Sequence, residues 1–187
     1  MNNNIENHST GKDIATSVEW LALATAVVAS ITIIGWVVWY SRFGIDFTDE
    51  GYYLEWISNP WSYKASVTQF GFIYHPLYQL VGGDIVLLRR ANLLITLGLA
   101  WILCFVLCRK IIIRHKLAKP SCSLPLVGVA LVLSTSALAL LGLWWLPTPN
   151  YYSLNLQALL IAGTGILLAE ANTSRNSLKG WVLIGVS

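Results

Sequence analysis

The acidic residues of segment 44–64 are the side chains in this sequence best suited to chemistry. The segment reads GIDFTDEGYYLEWISNPWSYK, and two of its four carboxylates, Asp49 and Glu50, are adjacent. A carboxylate at a lipid boundary can act as a general base that takes a proton from an acceptor hydroxyl. Adjacent carboxylates can also contact a divalent metal ion, although two are too few ligands to hold it. Asp46 is read as shaping a turn and Glu55 as a solvated charge.

Basic residues follow the acids within the same part of the chain. The stretch FGFIYHPLYQLVGGDIVLLRR, residues 70–90, contains His75 directly before a central Pro76 and ends in Arg89 and Arg90. A cation beside a phosphate leaving group offsets the negative charge that develops on it. Arg89, Arg90 and His75 are therefore candidate phosphate-binding residues. Anchoring at the membrane interface is the alternative for the two arginines.

A short helix is predicted to present the paired acids. It begins after a plausible N-cap, Thr48, carries the acids at the positive end of its dipole and ends before Pro60. Asp49, Tyr53 and Trp56 share one face of this helix at helical spacing, which makes Tyr53 a candidate substrate contact. A helix with aromatic rings along one side belongs at a membrane surface.

A second short helix is predicted from Pro76 to about Leu80, because proline suits the first turn of a helix. Gly82 and Gly83 end it, and Asp84 is in a position to cap the helix that follows.

Apolar runs dominate the rest of the chain. A transmembrane helix needs about 20 apolar residues to cross a hydrocarbon core of ~30 Å. The predicted spans are residues 18–40, 92–113, 124–146 and 153–169, with a fifth run that begins at residue 181. We therefore expect an all-α membrane protein, a polytopic transmembrane helix bundle with a loop at 41–90. The polar residues 1–17 are expected to form a disordered tail.

The composition agrees with a membrane protein. Hydrophobic residues make up 56% of the chain and charged residues 11%, whereas a soluble domain carries roughly a quarter charged residues. The net charge of +3 is too small and too scattered to indicate nucleic acid binding. Three cysteines give no disulfide framework. Because the fifth apolar run has only seven residues, the sequence is expected to be the N-terminal part of a longer protein.

The lysines and arginines predict the orientation. Eight of them lie in the N-terminal tail, between the second and third runs, or after the fourth run, and four lie on the other side. By the positive-inside rule, the N-terminus is expected in the cytoplasm and loop 41–90 on the outer face of the membrane.

The order of these features resembles the start of the integral-membrane glycosyltransferases that use polyprenyl-phosphate sugars. This type C class includes the protein O-mannosyltransferases and the lipid A aminoarabinose transferases. The resemblance covers residues 18–110 and rests on DEGYY at 49–53, YHPLY at 74–78 and the arginine pair at 89–90. The aminoarabinose transferases usually have a lysine before a proline pair, where this chain has His75 and a single proline, so the sugar stays open.

The resemblance implies that Asp49 is the catalytic base, with Glu50 beside it. It also implies a polyprenyl-phosphate-sugar donor in the lipid bilayer and a protein, lipid or glycan acceptor on the outer face. The expected location is a bacterial inner (plasma) membrane, as part of cell-envelope assembly. No cofactor is implied with certainty, and a divalent metal ion stays open.

Two other classes of protein compete with this interpretation. A non-catalytic multi-span scaffold or assembly factor would have acids that are exposed and replaceable. A transporter would carry ionisable residues at mid-membrane depth, and no charged residue lies in the middle of a predicted span.

Overall fold

The structure is a computed structural model that describes residues 3–43, 49–62, 69–116, 123–140, 147–170 and 174–186. Within these ranges the chain is all-helical, with seven α-helices, one 3-10 turn and no strand. The helices are α1 (Asn3–Tyr40), α2 (Asp49–Ser58), α3 (Phe70–Leu80), α4 (Ile85–His115), α5 (Ser123–Leu140), α6 (Tyr151–Ala169) and α7 (Ser174–Val186), and the 3-10 turn is Pro60–Ser62.

Three helical stretches in the described part of the chain are long and apolar enough to cross a membrane. They are Thr16–Tyr40, Ile85–His115 and Tyr151–Ala169. The apolar part of α5, Leu124–Leu140, is shorter, and residues 141–146 of that predicted span lie outside the described residues. The expectation of an all-helical chain with membrane-spanning candidates is confirmed at this level.

Helix α4 packs against α5 and α6, while α5 also contacts α1, and α6 contacts α7. Close approach follows from small residues at the contacts. A Cβ added at Gly128 would lie 3.3 Å from Val27 of α1, and one added at Gly165 would lie 2.8 Å from the carbonyl oxygen of Gly180 in α7. Helices without side chains at a crossing can approach until their backbones touch.

Hydrogen bonds at both ends fix the relative direction of α4 and α6. At the first end, the Asn92 side chain donates to the carbonyl of Pro147, just before α6, at 3.1 Å. At the far end, Lys110 Nζ donates to Glu170 Oε2 at 2.8 Å, and this contact lowers the pKa of the Glu170 carboxyl. The two helices therefore run in the same direction, and α2 and α3 lie at the end where both begin.

Helices α2 and α3 pack through an aromatic core. Trp56 and Phe70 lie with ring centroids 4.8 Å apart, and Tyr53 meets Phe70 edge to face at 5.6 Å. Leu88 at the start of α4 completes the buried cluster. The apolar area buried here holds α2 and α3 together, so the described parts of this long connection have structure of their own.

Several sequence expectations are confirmed in detail. Helix α2 ends at Ser58, before Pro60. Asp84 caps α4, because its carboxylate accepts hydrogen bonds from the backbone N–H groups of Val86 and Leu87 at 2.8 and 3.0 Å. The proposed N-cap Thr48 lies outside the described residues.

Other boundaries differ from the expectation. Helix α1 begins at Asn3, so the tail expected to be disordered continues the helix of the first apolar run, where extension needs no new nucleation. Helix α3 begins at Phe70, and Pro76 lies inside it rather than in its first turn. The aromatic contacts of Phe70 outweigh the backbone hydrogen bond that Pro76 cannot donate.

Candidate functional site

Arg89 joins four parts of the fold at the end where α4 begins. Its Nε donates to Glu50 Oε1 of α2 at 2.8 Å and to Thr148 Oγ1 of the segment before α6 at 3.0 Å. Its Nη1 lies 3.3 and 3.4 Å from the carbonyl oxygens of Ser41 and Arg42, just past α1. We call these five residues the Arg89 junction.

Glu50 and Thr148 complete the junction on the acidic side. Arg89 Nη2 also donates to Glu50 Oε1, and the Thr148 hydroxyl donates to the same oxygen. The side chains of Arg89 and Glu50 are 8% and 11% exposed, so the pair is shielded from water. Loss of either Arg89 or Glu50 would leave the other charge buried and uncompensated. The junction therefore needs both partners of the ion pair to be stable.

Asp49 lies directly beside this junction but in a different environment. It is the first residue of α2 and is exposed, whereas Glu50 is buried. The backbone of Asp49 is thus fixed through its neighbour, while Asp49 itself is exposed. Of the two adjacent acids, Asp49 is the one accessible to a substrate.

A second polar group lies below the junction between α3, α4 and α6. Gln157 donates from Nε2 to Asn92 Oδ1 and to Thr96 Oγ1, both at 2.9 Å. Its Oε1 accepts from the Tyr74 hydroxyl at 3.0 Å, and that hydroxyl also lies 3.2 Å from Ser153 Oγ. We call these five residues the Gln157 cluster. All five are buried, and each polar atom named here has a partner, as a buried polar group requires.

Burial has an electrostatic consequence for Tyr74. Removal from water raises the pKa of its phenol above the ordinary value of 10.0, and the hydrogen bonds to Ser153 and Gln157 only partly oppose this. Tyr74 therefore stays protonated and donates a hydrogen to Gln157.

Two further candidate residues, His75 and Tyr53, lie at the contact between α2 and α3. His75 Nδ1 lies 2.7 Å from the carbonyl oxygen of Ile57, and its Nε2 lies 2.9 Å from Gln79 Nε2. A carbonyl only accepts, so Nδ1 carries the hydrogen and Nε2 accepts from Gln79. Tyr53 is buried in the aromatic core, 6.1 Å from the ring of Tyr151. His75 therefore joins α3 to α2, and Tyr53 packs α2 against the first residue of α6.

Arg90 differs from Arg89 in its contacts. It is half-buried, and its Nε is buried without a hydrogen-bond partner among the described residues. The guanidinium therefore has unused hydrogen-bonding capacity, which suits an anion such as a phosphate, although Nε itself is enclosed by the fold. The two arginines that look equivalent in sequence therefore have different roles in the structure.

The described residues do not supply a metal centre. No group of three or more His, Cys, Asp or Glu side chains close enough to share an ion occurs among them. Glu50 Oε1 already accepts from Arg89 and Thr148, and Asp46 lies outside the described ranges. Glu50 is thus engaged in the ion pair, whereas Asp49 is exposed, and the two acids do not act together as metal ligands in this arrangement.

Sequence reasoning missed most members of both polar groups. The signal for part of them is present in α4, where Arg89, Asn92 and Thr96 follow at spacings of three and four and form one polar stripe on an apolar helix. Thr148, between two prolines, carried no such signal. Asn150 is the N-cap of α6 and forms a capping box with Ser153.

Comparisons of the chain with protein-family models, with curated proteins and with solved structures found no match in any of the three.

Proposed function

We propose that the chain is a polytopic membrane glycosyltransferase that uses a polyprenyl-phosphate-linked sugar, with Asp49 as the general base. The observation that carries the proposal is the position of Asp49. It is an exposed carboxylate whose neighbour Glu50 is fixed to the buried Arg89. A catalytic side chain whose backbone is fixed keeps its position relative to the bound substrate.

The proposed topology puts this site at one membrane surface. Helix α1 ends, and α4 and α6 begin, at the Arg89 junction. If α1, α4, α5 and α6 span the bilayer, α2 and α3 lie at the interface on the outer face, as the charge bias of the sequence predicts. The exposed rings of Trp61 and Phe72, 4.9 Å apart, are typical of such a layer.

The proposed reaction needs one proton acceptor and one cation. Asp49 takes the proton of an acceptor hydroxyl, whose oxygen then forms a bond to the anomeric carbon of the sugar. The bond between that carbon and the lipid phosphate oxygen breaks, and the phosphate leaves with the bonding electrons. We assign the negative charge of this leaving group to Arg90, because Arg89 is engaged by Glu50, Thr148 and two carbonyl groups.

The experiment compares two substitutions on the same helix. Asp49→Asn removes the proposed base, and Glu55→Gln removes another exposed acid of α2 as a matched control. Membranes containing each variant are supplied with radiolabelled polyprenyl-phosphate sugars, and transfer to endogenous acceptors is measured. We expect Asp49→Asn to reduce transfer at least ~100-fold, the range of a lost general base, and Glu55→Gln to leave it unchanged. Equal transfer by wild type and Asp49→Asn, at equal levels in the membrane, would refute the proposal.

One observation favours a second candidate, a non-catalytic scaffold. The acid and arginine of the Arg89 junction bind each other rather than facing an open site. A scaffold of this kind predicts that Asp49→Asn changes neither transfer nor stability. The same experiment therefore separates the two candidates.

A further inference from the structure

An apolar cleft lies between α1, α4 and α5, near the end at which α1 and α5 finish. Its volume is about 50 Å³, and its walls include Val37 and Val38 of α1, Leu93 and Leu97 of α4, and Thr135 of α5. Leu94 at its edge is 54% exposed, so the cleft opens to the surface of the helices. The space is several times the ~10–15 Å³ that one water molecule needs.

Thr135 lines this cleft and has a buried hydroxyl without a described partner. The residue is 3% exposed, and its Oγ1 has no hydrogen-bond partner among the described residues. A helical threonine normally donates to the carbonyl four residues earlier. Four other threonines do so in this structure: Thr25, Thr32, Thr96 and Thr164. For Thr135 that carbonyl belongs to Leu131, which already accepts from the Ser134 hydroxyl at 3.0 Å.

The walls of the cleft select the kind of molecule that fits. A buried water needs two to four polar partners, and Thr135 is the single polar side chain that lines the described cleft. An occupant must therefore be mostly hydrocarbon with one hydrogen-bond acceptor. One acyl chain of a glycerolipid, with its ester carbonyl at Thr135, has this composition.

Arg42 supplies a cation close to this cleft. Its residue is exposed, and its guanidinium lies 4.1 Å above the ring of Trp39. It lies two residues past the end of α1, whose last turns contribute Val37 and Val38 to the cleft wall. A short glycerol backbone joins the phosphate of a lipid to its ester carbonyl, so one lipid can contact both Arg42 and the cleft.

We propose that this cleft binds one glycerophospholipid, whose ester carbonyl accepts a hydrogen bond from Thr135 and whose phosphate contacts Arg42. The inference rests on the proposed membrane placement of α1, α4 and α5 and is independent of sugar transfer. It assigns a structural lipid to a cleft whose edge includes the exposed apolar side chains of Ile33 and Leu94.

The test uses dioleoyl-phosphatidylglycerol and its diether analogue, which lacks the ester carbonyls. Each lipid is titrated into the full chain, purified in detergent and stripped of lipid, and native mass spectrometry measures the bound fraction. We expect one bound molecule, with the ester lipid binding roughly three- to tenfold more tightly than the ether lipid, as one net hydrogen bond allows. Thr135→Val should remove this preference, and Thr135→Ser should keep it.

Two further variants separate the phosphate contact from general damage. Arg42→Gln should weaken both lipids equally, and Thr32→Val, an exposed residue of α1 whose hydroxyl donates to Val28, should change nothing. Equal binding of ester and ether lipids by the wild type would overturn the proposal, as would a preference that survives in Thr135→Val. A second copy of the chain bound in place of lipid would overturn it too. Extraction of the chain from membranes at alkaline pH would refute the proposed membrane placement. This outcome is distinct from equal binding of the two lipids, which would refute the lipid site alone.

Discussion

Arg89 and Glu50, 39 residues apart in the chain, form an ion pair in which both side chains are largely buried. The pair fixes the first turn of α2 against the first turns of α4. It also helps to set the position of Asp49, the adjacent and exposed first residue of α2. Glu50, which was expected to lie beside the catalytic base, forms this ion pair in the structure.

Removing one member of this pair should destabilise the protein strongly. Glu50→Leu leaves the buried Arg89 without a counter-charge, and we expect the free energy of unfolding to fall by about 3–5 kcal/mol. Chemical unfolding in detergent micelles, followed by tryptophan fluorescence, measures this change. The double variant Glu50→Leu/Arg89→Met should be more stable than Glu50→Leu alone. Lys110→Met, in the exposed pair with Glu170, is the control and should have little effect.

Thr148→Val should weaken the same junction by a smaller amount. The substitution removes a donor to Glu50 and an acceptor for Arg89 while it keeps the volume of the side chain. We expect a loss of about 1–3 kcal/mol, the range for buried groups left unsatisfied. Thr32→Val, with a hydroxyl bonded within its own helix, should be near neutral. Equal unfolding curves for the two variants would show that Thr148 contributes nothing.

The sequence predicted the local features of the fold better than its long-range contacts. The end of α2 before Pro60 and the cap at Asp84 follow from proline geometry and from a carboxylate before a helix. Both depend on neighbours in the chain.

The members of the candidate site were predicted only in part, for a physical reason. Arg89 lies on the polar stripe of α4 with Asn92 and Thr96, whereas Arg90 does not, but this stripe does not identify Glu50 as the partner of Arg89. That pairing depends on the rotation of α4 against α2 and on Thr148, 59 residues further along. Hydrophobic periodicity carries no information about such pairings in a helix that is apolar on most sides.

The stability of the protein should decrease in alkaline solution through Tyr74. Burial raises the pKa of this phenol above 10.0, so the folded state holds the proton more tightly than the unfolded state. The free energy of unfolding should therefore be constant below about pH 10 and fall as the pH rises further. Tyr74→Phe should remove this part of the pH dependence, which chemical unfolding curves recorded at a series of pH values measure. An unchanged profile in Tyr74→Phe would contradict the assignment.

Two glycines near the candidate site should respond in opposite directions to alanine. A Cβ at Gly71 would lie 2.5 Å from Trp56 Cδ1 and 2.9 Å from the Trp56 carbonyl oxygen, so α2 and α3 would have to separate. We expect Gly71→Ala to cost about 1–3 kcal/mol. A Cβ at Gly51 in α2 meets no atom within 4 Å, and Gly51→Ala should stabilise the helix by about 0.5–1 kcal/mol. Thermal unfolding of both variants checks the pair, and a loss of stability in Gly51→Ala would contradict the geometry.

Arg90→Gln should change donor binding without unfolding the protein. Under the proposed function, Arg90 contacts the lipid phosphate in the donor complex, since the neighbouring Arg89 is engaged by Glu50 and Thr148. A charge-assisted hydrogen bond contributes about 1.5–3 kcal/mol, which corresponds to roughly a ten- to hundredfold rise in KM for the polyprenyl-phosphate sugar. Arg90→Lys keeps the charge and should lose less than Arg90→Gln. Steady-state kinetics in membranes measure KM and kcat separately. An unchanged KM in Arg90→Gln would remove Arg90 from the donor site. If Arg90→Gln lowers only the amount of folded protein, Arg90 has a structural role, as Arg89 does.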